Sequence, residues 1–199
     1  MDKDFKTAST IRLATASDES EIISLLHIMW KESGWRPLDV DCARELFARA
    51  FEKKGGILAV IGLPGHIRAM MYLQIACAWY SREPHLEEAF CFVHPDHRQS
   101  DYHRLLVEYA RNCSDELSKD YGHPVPLLMG VLTNRRMSAK VRLYRRFFGI
   151  PVGAFFLYNA PWVSKGELTE EDYWRIPKLT NLLFKKTEQE RKAKVRARG

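Results

Sequence analysis

Four stretches of the chain repeat apolar residues every three or four positions, the spacing of one face of an α-helix. They are residues 18–34, residues 39–55, residues 101–119 and residues 134–148. Asp18 stands at the start of the first stretch as a helix N-cap, with Glu21 three residues later as its capping-box partner. The pattern therefore predicts four helices, the first two of them consecutive.

Shorter apolar runs between these stretches predict β-strands. They are residues 11–14, 57–61, 67–80, 86–93, 127–132 and 152–158. Turn residues such as Pro64 and Gly65 separate the second and third runs. Three consecutive strands followed by alternating helices and strands predict an α/β fold, with a mixed sheet covered by helices on both faces.

The apolar pattern weakens after residue 160, which predicts three parts of the chain. Residues 8–160 are expected to form one folded domain, and residues 161–184 an extension with scattered apolar anchors. Residues 185–199 are charged and lack apolar periodicity, so we expect a flexible tail.

Charge is concentrated in that tail. The chain has a net charge of +6, and residues 185–199 hold seven basic and two acidic side chains, so the other residues together carry only +1. The tail is expected to contact a polyanion such as nucleic acid, or an acidic protein surface. Alternatively, the tail is a helical extension that docks on a neighbouring copy of the chain. The protein would then be an oligomer.

No apolar run approaches the roughly 18–20 residues that span a bilayer, and the first residues are polar. We expect a cytoplasmic protein with no membrane partner.

The four cysteines share no short spacing, so zinc and C-x-x-C redox motifs are not predicted, and Cys91 and Cys113 are expected to be buried free thiols. Four further titratable side chains crowd one turn without the spacing of metal ligands: His94, Asp96, His97 and His103.

Residues 89–106, AFCFVHPDHRQSDYHRLL, hold the main candidate chemistry. An apolar strand breaks at His94 and Pro95, a basic turn follows, and a helix begins near Asp101. A strand, a turn and a helix start in this order point backbone N–H groups at one place, where they can bind a phosphate.

This segment resembles the acyl-CoA-binding motif of the GNAT superfamily of N-acetyltransferases. That motif is a strand ending in Val, then x-Pro, then Arg/Gln-x-x-Gly-x-Gly/Ala and an apolar helix start. The matching residues are Val93, Pro95, Arg98, Leu105 and Leu106. Asp101 and His103 stand where the family usually has glycine and glycine or alanine.

Two weaker motifs resemble the same family, one at each end of residues 10–160. The chain opens with Ile11-Arg12-x-Ala14 and Asp18, and it closes with Asn134 followed by Leu143-Tyr144 and Gly149. The predicted element order also matches that family. The resemblance implies a GNAT-like mixed sheet of six to seven strands that parts after the strand ending at Val93.

The resemblance also implies a cofactor, acetyl-CoA, and a set of site residues. The cofactor-binding positions are Phe92, Val93, Arg98, Gln99, Ser100, Asp101, Tyr102, His103 and Asn134. Tyr144 is implied as the general acid that protonates the leaving thiolate, with a packing role in the core as its alternative. Glu88 or Glu87 is a candidate general base, because successive strand residues face opposite sides and at most one faces the cleft. A solvated or structural role is open for both.

Asp101 is the position where the pattern and the family diverge. Two like charges 4–6 Å apart repel by roughly 3–4 kcal/mol at an effective dielectric constant of 20. Asp101 or Ser100 is also a good N-cap for the helix that follows. The cofactor site is therefore either intact or altered at this turn.

Two classes of function follow. The chain is an N-acyltransferase acting on a primary amine, whose identity the sequence does not give. Alternatively it is a non-catalytic GNAT-fold binding or assembly protein, similar to virion-associated phage members of the superfamily, in which case we expect it in a virion. A third interpretation joins the two as a GNAT-fold protein that modifies nucleic acid and binds it through residues 185–199.

Overall fold

The computed structural model describes residues 10–34, 36–131 and 137–149. Its strands are β1 (Ile11–Leu13), β2 (Gly56–Leu63), β3 (His66–Cys77), β4 (Pro84–Val93) and β5 (Leu127–Leu128). Its helices are α1 (Glu19–Ser33), α2 (Val40–Phe51), α3 (Tyr102–Tyr121) and α4 (Met137–Phe148). The predicted order of elements is confirmed over these residues. The strand predicted at residues 152–158 and the parts predicted from residue 161 onward lie outside them.

The strands form one mixed sheet in the order β1-β2-β3-β4-β5. The first four are antiparallel neighbours, and β5 pairs with β4 in parallel. This confirms the predicted α/β class and the predicted mixed sheet. The described residues hold five strands rather than the six to seven expected.

The pairing of β4 with β5 is short. It consists of Leu86 with Leu127 and Glu87 with Leu128. From Glu88 to Val93, β4 has no partner on this edge among the described residues, whereas β3 still pairs with its other edge. On its other edge β4 carries a β-bulge, because Tyr72 of β3 pairs with Phe90 while Leu73 pairs with Glu88. A bulge bends a strand and increases its twist. β4 therefore bends where it parts from β5, as the resemblance implies.

Helices cover both faces of the sheet, as predicted. Alternate residues of β2 point to opposite sides: Leu58 and Val60 pack into the core under α1 and α2, whereas Ala59 and Ile61 pack into the core under α3. Because all four are buried, β2 is apolar along its whole centre. None of the helices that the structure describes combines the length and apolarity needed to cross a bilayer.

Asp18 does not cap α1, so that prediction is wrong. It holds the N-cap position, but its side chain makes no bond to the helix. Its carboxylate instead accepts two hydrogen bonds of 2.7 Å from the Arg12 guanidinium and one of 2.9 Å from the Thr15 N–H. The bonds from Arg12 lower the pKa of Asp18, against the opposing effect of burial. The Asp18 side chain thus ties β1 to the start of α1.

Local sequence also explains two helix ends. Asp39 caps α2 by accepting the Cys42 N–H, and Gly122 ends α3 in the left-handed conformation with φ of 71°. Cys91 is a buried free thiol, as predicted, whereas the free thiol of Cys113 is only half-buried.

Candidate functional site

The end of β4, the turn after it, the start of α3 and one face of α4 meet beside the point where β4 leaves β5. Phe92 and Val93 are both buried at the end of β4 and face opposite sides of the sheet. The structure thus brings the predicted acyl-binding strand and the predicted phosphate-binding turn together. Asn134, predicted to help hold the cofactor, lies outside the described residues.

Arg98 turns back into the protein rather than outward. Its guanidinium forms an ion pair with Glu32 of α1 and lies 5.5 Å from the centre of the Phe92 ring, and its Nε donates to the Val93 carbonyl at 3.4 Å. Both charges of the Arg98–Glu32 pair are largely shielded from water. The Arg98 side chain therefore fastens the turn to α1, and any phosphate contact here belongs first to backbone groups.

The start of α3 is capped by Ser100 and not by Asp101. Ser100 Oγ accepts the Tyr102 N–H at 3.3 Å, whereas the Asp101 carboxylate binds Arg104 at 2.8 Å and makes no bond to the helix N–H groups. The first backbone bond of the helix runs from the Leu105 N–H to the Asp101 carbonyl. Among the described residues, the N–H groups of His103 and Arg104 have no acceptor. The two alternatives left open for the cap are settled in favour of Ser100.

The remaining predicted turn residues differ in exposure. Tyr102 is buried, and its hydroxyl accepts a hydrogen bond of 3.0 Å from Arg68. Gln99 is exposed. His94 is the centre of the contacts among His94, Asp96 and His97. The Asp96 N–H donates to His94 Nδ1, the His97 N–H donates to the His94 carbonyl, and the centres of the two imidazole rings lie 5.9 Å apart. The part of the chain that the structure describes contains no group of three or more side chains placed to hold a metal ion.

Glu88 lies at the first position of β4 beyond the pairing with β5, and its side chain is only 2% exposed. The Tyr144 hydroxyl donates to one of its oxygens at 2.5 Å, and Lys140 Nζ donates to the other at 2.7 Å. Lys140 and Tyr144 are four residues apart on α4 and so share one face of that helix. Glu87 faces elsewhere and accepts a hydrogen bond from Gln74. Of the two candidate carboxylates, Glu88 is thus the one beside Tyr144.

Burial is the largest cause of the pKa shifts of three side chains around Glu88. It raises the pKa of Tyr144 well above 10, and the nearby Glu88 carboxylate raises it further. Burial likewise raises the pKa of the neighbouring Cys91 thiol. His103 packs against the edge of the Tyr144 ring, with ring centres 6.0 Å apart, and burial lowers its pKa to about 4. At neutral pH, Tyr144 keeps its proton, Cys91 is a thiol and His103 is an uncharged imidazole.

The structure also adds residues that sequence reasoning did not place in the site. In the sequence Lys140 is one of several basic residues of α4 and nothing distinguishes it from the others. Glu32 carries no local signal, because its partner Arg98 lies 66 residues away. His103 was predicted to bind the cofactor through its backbone, yet its side chain enters the site. Its Nε2 is buried and has no hydrogen-bond partner among the described residues.

No family model and no curated protein sequence matches the chain. Many solved structures are similar to it in fold. Ribosomal-protein-alanine N-acetyltransferase from Brucella melitensis biovar Abortus 2308 is 15% identical with a TM-score of 0.58, over 76% of this chain and 99% of that one. Aminoglycoside antibiotic 6'-N-acetyltransferase AAC(6')-IG from Acinetobacter haemolyticus is 14% identical with a TM-score of 0.55, over 76% of this chain and 97% of that one.

A third similar structure holds a ligand. AAC(6')-Iy, in complex with the bisubstrate analogue CoA-S-monomethyl-acetylneamine, is 11% identical with a TM-score of 0.56, over 76% of this chain and 97% of that one. All three similar structures are N-acetyltransferases, the class of protein that the sequence motifs of this chain resemble. The chain therefore has the GNAT fold, the fold of the N-acetyltransferase superfamily that its motifs resemble.

Proposed function

We propose that this protein is a GNAT-type N-acyltransferase that moves an acyl group, such as acetyl, from acyl-CoA to a primary amine. The observation that carries the proposal is the position of the Glu88–Tyr144 pair. It lies at the first β4 residue beyond the β5 pairing, beside a helix start whose N–H groups are not capped by Asp101. A base, an acid and an anion-binding helix end thus adjoin one opening in the sheet, the edge of β4 at residues 88–93 where β5 no longer pairs with it.

The chain's own groups suit acyl-CoA at this opening. The N–H groups of His103 and Arg104 at the start of α3 fit the pyrophosphate, since uncapped helix N–H groups bind anions well. The edge of β4 from Glu88 to Val93, which no strand of the described residues occupies, fits the pantetheine arm and the thioester. A CoA-containing ligand is present in AAC(6')-Iy, which has a similar fold. When bound, acyl-CoA supplies the activated acyl group.

Glu88 and Tyr144 can pass a proton between the two reacting groups. Glu88 takes a proton from the incoming amine, which frees the Tyr144 hydroxyl from its bond to the carboxylate. Tyr144 then protonates the leaving thiolate and recovers a proton from Glu88. The bond of 2.5 Å between the two side chains is the path for that last transfer.

Binding of acetyl-CoA tests the proposal directly. At 100 times its dissociation constant, a ligand that binds only the folded state stabilises it by about 2.7 kcal/mol, so the melting temperature should rise by several degrees. Thermal shift and calorimetry measure this binding, and release of free thiol with a panel of primary amines measures transfer. Absence of any stabilisation at millimolar acetyl-CoA would contradict the proposal.

Replacing Asp101 by asparagine should tighten acetyl-CoA binding, because it removes a negative charge from the α3 start. The Asp101 side chain is 73% exposed and paired with Arg104. Water screening therefore reduces the expected gain to about 1 kcal/mol, roughly fivefold in Kd. Glu108→Gln is the matched control, because Glu108 binds the same arginine one turn further from the helix start. Equal affinities for the two variants would show that the charge of Asp101 does not face the ligand.

A non-catalytic binding or assembly protein is the second candidate, and one observation favours it. Each charged side chain of the opening already has an internal partner: Arg98 binds Glu32, Asp101 binds Arg104 and Glu88 binds Lys140. In that case the tail at residues 185–199 would supply contacts to nucleic acid or to an acidic protein surface. A protein that ignores acetyl-CoA but binds a polyanion in a salt-sensitive way would support this candidate.

A further inference from the structure

Lys140 places a primary amine of the chain itself against the candidate general base. Its Nζ lies 2.7 Å from Glu88 Oε1 and 5.2 Å from the centre of the Tyr144 ring, and its side chain is 16% exposed. An acceptor amine that loses its proton to Glu88 must make the same contact with the carboxylate. Lys140 thus stands toward Glu88 and Tyr144 as a substrate amine would.

We propose that Lys140 is an acyl acceptor of this site, so that the protein acylates itself there before or between cycles of transfer. This inference rests on the proposed function, since the acyl donor is acyl-CoA. It goes beyond that function by naming an acceptor within the chain. Among the lysines of the chain, Lys140 would react first because it lies beside Glu88, although other lysines are more exposed to solvent.

The reaction balances with groups that are present. The Lys140 ammonium gives one proton to Glu88, and the neutral amine forms a C–N bond to the thioester carbonyl carbon as the C–S bond breaks. The thiolate takes the Tyr144 proton, and Glu88 returns a proton to Tyr144. The nitrogen releases one more proton to solvent, which leaves an amide on Lys140 and a free thiol on CoA.

Acylation of Lys140 would also change the structure. The amide carries no charge, so Glu88 loses its cationic partner while remaining buried. A buried charge without a partner is strongly destabilising. Because Lys140 and Glu88 connect α4 to β4, the modified protein should hold α4 less firmly. Self-acylation would thereby loosen the helix that carries Tyr144.

The test compares Lys140 with lysines that solvent reaches more easily. Lys54 and Lys119 are 71% and 70% exposed and are paired with carboxylates on the surface. The full chain is incubated with acetyl-CoA, and acetylation of each lysine is followed by peptide mass spectrometry. Lys140 should be acetylated faster than both, at a rate per chain that does not depend on protein concentration. Acetic anhydride, which needs no site, should reverse that order.

Three variants test the roles of Glu88 and Lys140 in this reaction. Glu88→Gln should slow acetylation of Lys140 by about 10²–10⁴-fold, the usual effect of a general base, without changing Lys54 or Lys119. If Glu88→Gln does not fold, Lys140→Arg keeps the cation and should remove one acetyl group per chain from the intact mass. Independently of acyl-CoA, Lys140→Gln should speed amide hydrogen exchange in α4 relative to α2.

The outcomes separate this inference from the function on which it rests. If acetyl-CoA stabilises the protein and lysines are labelled only in order of exposure, Lys140 is not an acceptor and the proposed function stands. If acetyl-CoA neither stabilises the protein nor labels Lys140, both fail. Unchanged exchange in α4 of Lys140→Gln would overturn the structural consequence.

Discussion

Tyr144→Phe is expected to lower the turnover of acyl transfer by about 10²–10⁴-fold, the range for loss of a general acid. The phenyl ring keeps its packing against His103 and Phe148, so only the hydroxyl is lost. Without it the thiolate leaves unprotonated, and Glu88 has no route for returning its proton. The measurement is thiol release under saturating acetyl-CoA and amine.

The same substitution also removes a hydrogen bond to a buried carboxylate, which has its own cost. Hydrogen bonds to charged groups contribute about 1.5–3 kcal/mol, so Tyr144→Phe should also lower the melting temperature. Turnover is therefore compared well below the melting range, where both proteins are folded. Tyr109→Phe is the matched control, because Tyr109 is a half-buried tyrosine of α3 outside the opening. A folded Tyr144→Phe protein with undiminished turnover would rule out the acid role.

The order of elements was predictable because burial of apolar side chains leaves a periodic trace in the sequence. β2 is a continuous apolar run because it is buried on both faces, and α3 shows its stripe because it covers only one face. The motif from Val93 to Leu106 was predictable for another reason: strand, turn and helix follow one another directly in the chain. Local sequence is sufficient for features of this kind.

The partners of the charged side chains were not predictable in this way. Arg98 and Glu32 are 66 residues apart, and Glu88 and Lys140 are 52 residues apart. Only the tertiary fold brings these charges together, by placing α1 beside the turn that follows β4 and α4 beside the middle of β4. Capping rules also failed where a tertiary partner competed, since Arg12 takes the Asp18 carboxylate that would otherwise cap α1. The bulge at β4 had no glycine to indicate it.

Asp18→Asn is expected to lower the free energy of unfolding by about 1.5–3 kcal/mol, the usual contribution of hydrogen bonds to charged groups. Asp18 is buried, but Arg12, the charge left without its partner, keeps 27% of its side chain exposed. Asparagine has nearly the same shape but cannot neutralise Arg12, and it replaces one acceptor oxygen by a donor. Chemical denaturation measures the change. Asp41→Asn is the control, because Asp41 forms an ion pair with Arg44 on the surface, and it should change stability by no more than about 0.5 kcal/mol.

The pH dependence of the free energy of unfolding gives a second test of the Arg12–Asp18 ion pair. The pKa of Asp18 is lowered by Arg12, so the folded state binds this proton less readily than the unfolded state. The stabilisation is therefore complete above the ordinary aspartate range and is lost as the pH falls through the lowered value. Asp18→Asn has no such group, so the difference in stability between the two proteins should narrow steadily in acid. A difference that stays constant down to the lowest pH at which both proteins fold would show that the substitution acts through packing and not through the charge of Asp18.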